Sequence, residues 1–260
     1  MANKYSKAPI SELIFGIIFN TPILARNGII FDLIRELSSG DYPELKTQPA
    51  IFEEDYIESR ISVNIDYDKS GFVLYRLYTK DGDYLIQLQQ NLLLLNWIRK
   101  DEVAVGKYPG FSEVFSRFSN IINILRKKFQ ETDLKNLDFT KQIKNLVLTY
   151  NDRVSTSDDD QTLKSYLNLS FPQIPVDEGV IYPNTIATKF ISHIPVINGF
   201  NSLSINTGHD PQGRRILVIE NRIKGRPIIE NLEDWFKNAH GIQQIVFENL
   251  FTKETLKSWQ

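Results

Sequence analysis

Three histidines, His193, His209 and His240, are the side chains of this 260-residue chain best suited to acid–base or metal chemistry near neutral pH. None has a second histidine or a carboxylate at the spacing that sets two ligands on one helix face, so no metal site is expected. His193 falls in a strand pattern and reads as a structural residue. His209 precedes Asp210 in the turn "TGHDPQG", where turn hydrogen bonding accounts for both. His240 reads as the last turn of a helix that stops or kinks at Gly241, where a cation complements the helix dipole. Asp158, Asp159 and Asp160 lack the glycine and distal glutamate of a calcium loop. Glu53, Glu54 and Asp55 are too ordinary a run to support general acid–base work. "TGHDPQGRR" carries glycines and arginines, as phosphate loops do, but it joins strand to strand with no helix N-terminus behind it. No glycine-rich nucleotide loop, H-E-x-x-H helix or G-x-S-x-G elbow occurs. The chain has no cysteine, which removes disulfides and thiolate chemistry. The expectation is a protein that is not an enzyme and holds no cofactor.

What remains is suited to binding. In "YRLYTKDGDYLIQLQQNLLLLNWIRK" apolar and polar residues alternate. With Tyr75, Leu77 and Ile86 turned to a core, Tyr78, Gln87 and Trp97 face outward, and a Tyr and a Trp on a rigid sheet are good interface anchors. The competing reading has Trp97 capping the core. Arg76, Asn96, Asn151 and Arg153 are the residues that would line a polar cleft between two halves of the chain and hold a small ligand or nucleotide. The competing reading buries these arginines in ion pairs. Arg214, Arg215, Arg222, Lys224 and Arg226 gather at one hairpin without the aromatic residues that stack on bases. Nucleic acid is therefore not favoured, and a charged, solvated edge is expected.

The elements that must position these residues follow from periodicity. Residues 13–19 form a continuous apolar run, a buried strand. Ile29, Ile30, Leu33, Ile34 and Leu37 share a helical face that ends at Ser38, Ser39 and Gly40. Ile61, Val63 and Ile65 alternate as in a half-buried strand. Asp81-Gly82 between alternating runs signals a hairpin, read here as a tight turn with positive φ at both central positions, and residues 92–98 add a third strand. Phe111, Val114, Phe115, Phe118, Ile122, Leu125 and Phe129 lie on one face of an amphipathic helix. "IKNLVLTYNDRV" reads as a strand and "STSDDDQTLKS" as a polar loop. Strands are expected again over 168–171, 186–194, 202–206 and 215–223, with helix closing the chain. The fold class is α+β, with antiparallel meander strands packed by amphipathic helices, in two similar strand–meander–helix halves at 1–154 and 155–260 that make one composite domain.

Net charge is −2, from 30 basic and 32 acidic residues, and favours neither nucleic acid nor a membrane surface. The apolar run at 13–19 is too short for a signal peptide and follows Glu12, and no stretch reaches the ~20 apolar residues of a membrane span. A cytoplasmic location fits the lack of cysteine.

Several segments, in order, resemble a sporadically distributed bacterial family of about 260 residues with no settled function. They are "KYSKAPISELIFGIIF", with Tyr5, Pro9, Ile10 and Glu12 in a Tyr-x-x-x-Pro-Ile-x-Glu opening, then "YRLYTKDGDYLIQLQQNLLLLNW", "YPGFSEVFSRF", "LVLTYNDRV" and "FENLFTKETLKSW". The family opening has Pro two residues after its Tyr, where this chain has Ser6 and Lys7. Arg153 stands where the family carries Arg in an Asn-Arg pair, with Asp152 intervening. The resemblance gives no catalytic residues. It implies a role among toxin–antitoxin, immunity or phage-defence proteins, with another protein of the same locus as partner. The layout is also similar to secretory-chaperone-like folds.

Overall fold

In the computed structural model, residues 7–50, 54–57, 60–63, 73–100, 108–156, 165–169, 174–176, 179–181, 186–227 and 231–260 are described. The segments of period two become strands: β1 (Ile10–Phe19), β2 (Glu44–Pro49), β3 (Glu54–Ile57), β4 (Arg60–Val63), β5 (Val73–Tyr78), β6 (Tyr84–Gln89), β7 (Leu92–Ile98), β8 (Ile143–Ser155), β9 (Ile174–Val176), β10 (Gly179–Ile181), β11 (Ala187–Ile194), β12 (Gly199–His209) and β13 (Arg215–Gly225). Nine of them form one antiparallel sheet in the order β11-β12-β13-β8-β1-β7-β6-β5-β2. β3 pairs with β4 and β9 with β10 as separate two-stranded ladders. The segments of period 3.6 become helices α1 (Ile29–Ser38), α2 (Phe111–Gln130), α3 (Leu232–Leu250) and α4 (Lys253–Ser258). The α+β class is as the sequence implies. In chain order a three-strand meander followed by a long helix occurs twice, as β5-β6-β7 then α2, and as β11-β12-β13 then α3. Among the described residues no helix is long and apolar enough to cross a membrane.

By compactness the chain divides into two units that are discontinuous in sequence. Unit 1 is Met1–Phe15, Trp97–Arg117 and Asn145–Gln260, and unit 2 is Gly16–Asn96 and Phe118–Lys144.

Unit 1 is centred on Phe15, whose ring lies 5.3 to 5.7 Å from those of Phe111, Phe115 and Phe236. This arrangement joins β1 to two helices through offset aromatic contacts, which add to the burial of large apolar rings. A second apolar cluster gathers Val154, Ile205, Leu217, Ile219, Leu250 and Phe251, with Trp259 packed against it. In unit 2, α1 buries Ile29, Ile30, Leu33, Ile34 and Leu37, the five residues of the periodic face. Phe139 packs edge-on against Phe19 and Phe129, and Lys128 reaches Glu36 at 2.7 Å.

Three local expectations change, and one falls outside the described residues. The Asp-Gly hairpin is wider than a two-residue turn: Thr79 and Tyr84 close it, the Gly82 N–H bonds the Thr79 carbonyl, and only Gly82 has positive φ. One glycine in the left-handed region suffices for a four-residue loop. Residues 168–169 are not a strand; only Leu167 makes a single bridge, to Phe251. Ile65 lies outside the described residues, and only the backbone of β4 is described. Gly241 neither caps nor bends the last long helix, because α3 runs through it without positive φ. The start of α3 is fixed instead by Asn231, whose side chain accepts the Glu233 N–H, with Glu233 and Asp234 in the positive first turn.

A Cβ added at Gly241 meets no atom within 4 Å. Gly241→Ala therefore removes the conformational freedom of an unfolded glycine without a clash, and should stabilise the protein by about 0.5–1 kcal/mol. Urea denaturation of the two proteins measures this; a variant less stable than wild type would show that the helix is strained at this position.

Candidate functional site

The chemistry-bearing side chains cluster inside unit 1. The β13–β8 and β12–β13 ladders run without a break in register, so side chains opposite one another share a face. Leu148, Tyr150, Asp152 and Val154 of β8 lie on one face with Ile223, Asn221, Ile219 and Leu217 of β13. Helix α3 covers this face, because Gln243 donates from Nε2 to the carbonyls of Leu148 (3.0 Å) and Asn221 (2.7 Å).

The Tyr150 hydroxyl is central. It lies 3.0 Å from His240 Nδ1 and 3.2 Å from the Tyr108 hydroxyl. The His240 ring stacks on Phe111 at 4.2 Å and 6°, and Tyr108 packs at 5.3 Å from Trp97. Burial lowers the His240 pKa to about 4, so the imidazole is neutral at pH 7. The Tyr150 pKa rises well above its ordinary value because of burial, reinforced by Tyr108 and Asp152. The helical position expected for His240 is thus corrected. It stands mid-helix and neutral, since α3 continues to Leu250 and turns the ring against aromatic neighbours.

Two residues along β8, Asp152 is 3% exposed and its Oδ1 has no hydrogen-bond partner. Burial pushes its pKa up to about 7, opposed by the positive charge of Arg99. Arg99 donates from Nη2 to the Ala8 carbonyl at 3.0 Å, while its Nε is unpartnered. The Asn221 Oδ1 and Gln243 Oε1 are buried and unpartnered as well. Unfilled buried acceptors are costly and mark places for water or a polar ligand. A phenol made harder to ionise and an imidazole made less basic do not activate each other. Among the described residues no group of three or more His, Asp or Glu is placed to hold a metal ion.

The residues singled out from sequence are distributed differently. Trp97 does not face outward; at 3% exposure it caps the interior. In β7 the buried Leu93, Leu95 and Trp97 alternate with the half-buried Leu92, Leu94 and Ile98, so Trp97 shares the inward face, and Asn96 is buried as well. Gln87 is half-buried and donates to Asn96 Oδ1 at 3.0 Å. Tyr78 is half-buried, with Lys46 and Arg76 at 4.8 and 5.2 Å from its ring centre. Arg76 donates to Gln48 Oε1 at 3.0 Å, Asn151 donates to Glu12 at 2.7 Å, and Arg153 is exposed. Neither arginine sits in a buried ion pair: Arg76 meets an amide oxygen and Arg153 meets solvent. Arg76 and Asn96 belong to unit 2, Asn151 and Arg153 to unit 1. In "TGHDPQGRR" Asp210 accepts the N–H groups of Gln212 and Arg214 and the Arg214 guanidinium, which leaves those amides no role toward phosphate. Asp158, Asp159 and Asp160 lie outside the described residues, as do the side chains of Glu53, Glu54 and Asp55. Tyr108, Tyr150, Asp152 and Gln243 are among the polar residues of this region that the sequence alone does not single out. The legible signal was Tyr150 and Asp152 two apart in the apolar run "LVLTYNDRV".

No protein-family model matches the chain, and no curated protein matches it. Among solved structures it is similar to the di-domain ARO/CYC StfQ from the steffimycin biosynthetic pathway, at 9% identity over 92% of this chain and 93% of that one, with a TM-score of 0.25. DynU16, from the dynemicin biosynthetic locus, is similar at 12% identity over 89% of this chain and 93% of that one, with a TM-score of 0.22. Superpositions that loose assign no function.

Asp152 and His240 make opposite demands on pH. The folded state raises the Asp152 pKa, so that contribution is full below pH ~4 and is lost as pH rises to about 7. It lowers the His240 pKa, so that contribution is present above pH ~6.5 and is lost as pH falls to about 4. In wild type the two slopes largely cancel. Asp152→Asn should show stability rising from pH 4 to 6.5, and His240→Gln should show it falling over the same range, each approaching ~1.4 kcal/mol per pH unit. Denaturation midpoints across pH test this; parallel profiles for the two variants would contradict it.

Proposed function

We propose that this chain is a non-catalytic protein-binding protein, a subunit of an antitoxin, immunity or phage-defence type of complex, acting in the cytoplasm on a partner protein encoded in the same locus. One observation carries the reading. Phe31 of α1 is 60% exposed and stands edge-on to Tyr75 at 6.0 Å. The β2–β5 ladder pairs Leu45 with Leu77, Thr47 with Tyr75 and Pro49 with Val73, so the exposed Leu45 and Val73 lie on the same face as Tyr75. An aromatic pair flanked by exposed aliphatic residues on a rigid sheet is the composition of an interface anchor. This reading moves the anchors from Tyr78, Gln87 and Trp97 to Tyr75 and Val73, with Phe31 and Leu45 beside them; Tyr75, expected to face the core, is half-buried, and Trp97 is buried. The ordered resemblance to a patchily distributed bacterial family supports the same reading.

A second reading rests on unit 1. The unpartnered oxygens of Asp152, Asn221 and Gln243 favour a small polar ligand rich in hydrogen-bond donors.

Affinity purification of the tagged protein from its native host separates the readings. Phe31→Ser should lose a protein that co-purifies with wild type, with the melting temperature unchanged. The same co-purifying set for both proteins, or a lone chain that hydrolyses a nucleotide, would contradict the proposal.

A further inference from the structure

Lys46 of β2 and Arg76 of β5 stand directly opposite one another in an antiparallel ladder, and Glu44 stands opposite Tyr78 one pair along the same face. Like charges directly opposite destabilise a strand pair. Tyr78 draws both cations: Lys46 Nζ lies 4.8 Å and the Arg76 guanidinium carbon 5.2 Å from its ring centre. Both come from the pair next to Tyr78, so they reach its ring from the same side. A ring face attracts a cation but carries no net charge, so it leaves the two facing each other. Among the described residues the one carboxylate paired with either is Glu44, 3.9 Å from Lys46 Nζ and beyond hydrogen-bond reach. Arg76 spends Nη1 on the Gln48 amide oxygen at 3.0 Å, and its Nε is buried without a partner. We infer that this face of unit 2 binds an oxyanion, a phosphate or carboxylate group of a small ligand, held between Lys46 and Arg76.

The surroundings suit that guest. The row continues across the sheet, with Gln87 of β6 opposite Arg76 and donating to Asn96 Oδ1 of β7. Four residues singled out from sequence, Arg76, Tyr78, Gln87 and Asn96, thus meet in unit 2, beside a lysine that periodicity did not mark. The two cations have different duties. Lys46 is 64% exposed, a mobile point charge with three donors that can follow an incoming anion. Arg76 is half-buried and its plane is held by Gln48, so its remaining donors have a fixed direction, as recognition of a carboxylate or phosphate requires. An oxyanion between them turns a like-charge contact into two attractive ones. This inference does not rest on the Phe31 surface, because Leu45, Val73 and Tyr75 lie on the opposite face of the same two strands.

The test reads melting temperature in chloride, inorganic phosphate and acetate at matched ionic strength. Phosphate stabilises proteins in general by exclusion from their surface, so the signal is the difference between wild type and Lys46→Gln. In chloride the variant should melt no lower than wild type, because it loses a repulsive contact. In phosphate or acetate wild type should gain more than the variant does, and the anion with the larger difference identifies the group recognised. Calorimetric titration with that anion should give binding about tenfold weaker for Lys46→Gln. Arg76→Lys, which keeps the charge and loses the plane, should also bind more weakly than wild type. Equal gains for wild type and Lys46→Gln in both anions, or a variant that melts below wild type in chloride, would overturn the site.

Discussion

The structure depends on one constraint: a nine-stranded antiparallel sheet that does not close on itself must leave two edges, and each edge must be dealt with. The interior strands satisfy their backbone groups between neighbours and are free to be apolar. The cost of the architecture is concentrated at β2 and β11. β2 meets it with charge and a terminal proline. β11 carries almost no charge and exposes two large apolar side chains, one on each face.

Within unit 1 those groups are of two kinds. Phe15 gathers rings from α2 and α3, which packs the helices against β1 through aromatic contacts. Beside this lies a polar interior in which Tyr150 links Tyr108 to His240, and Gln243 ties α3 to the backbones of β8 and β13. Side-chain to backbone bonds of this sort are directional, and they specify how α3 sits along the sheet where apolar packing would allow it to slide. The same region tolerates unfilled acceptors on Asp152, Asn221 and Gln243. It keeps Asp152 near its titration point and His240 neutral, two opposed effects that spread the pH dependence of the fold thinly.

Much of the fold was legible in the residues. The apolar face of α1, the length of α2, the meander of β5 to β7 and the last three strands all follow from periods of 3.6 and 2. The failures have separate causes. In β7 Trp97 falls in step with the buried Leu93 and Leu95, so the outward reading ran against the strand's own period. Gly241 looked like a helix stop, but the apolar face of α3 resumes beyond it and tertiary packing carries the helix through. The candidate site was less legible. Tyr150, Asp152, Tyr108 and Gln243 are far apart in sequence, and only the pairing of β8 with β13 beneath α3 brings them together. Apolar residues such as Phe31 and Phe190 carry no mark in the sequence that separates an exposed position from a buried one.

Amide hydrogen exchange of the wild-type protein tests the edge constraint most directly. β8 has a strand on each side and β2 ends the sheet order. The amides of β8 should exchange far more slowly than those of β2. Equal rates in the two strands would contradict the account.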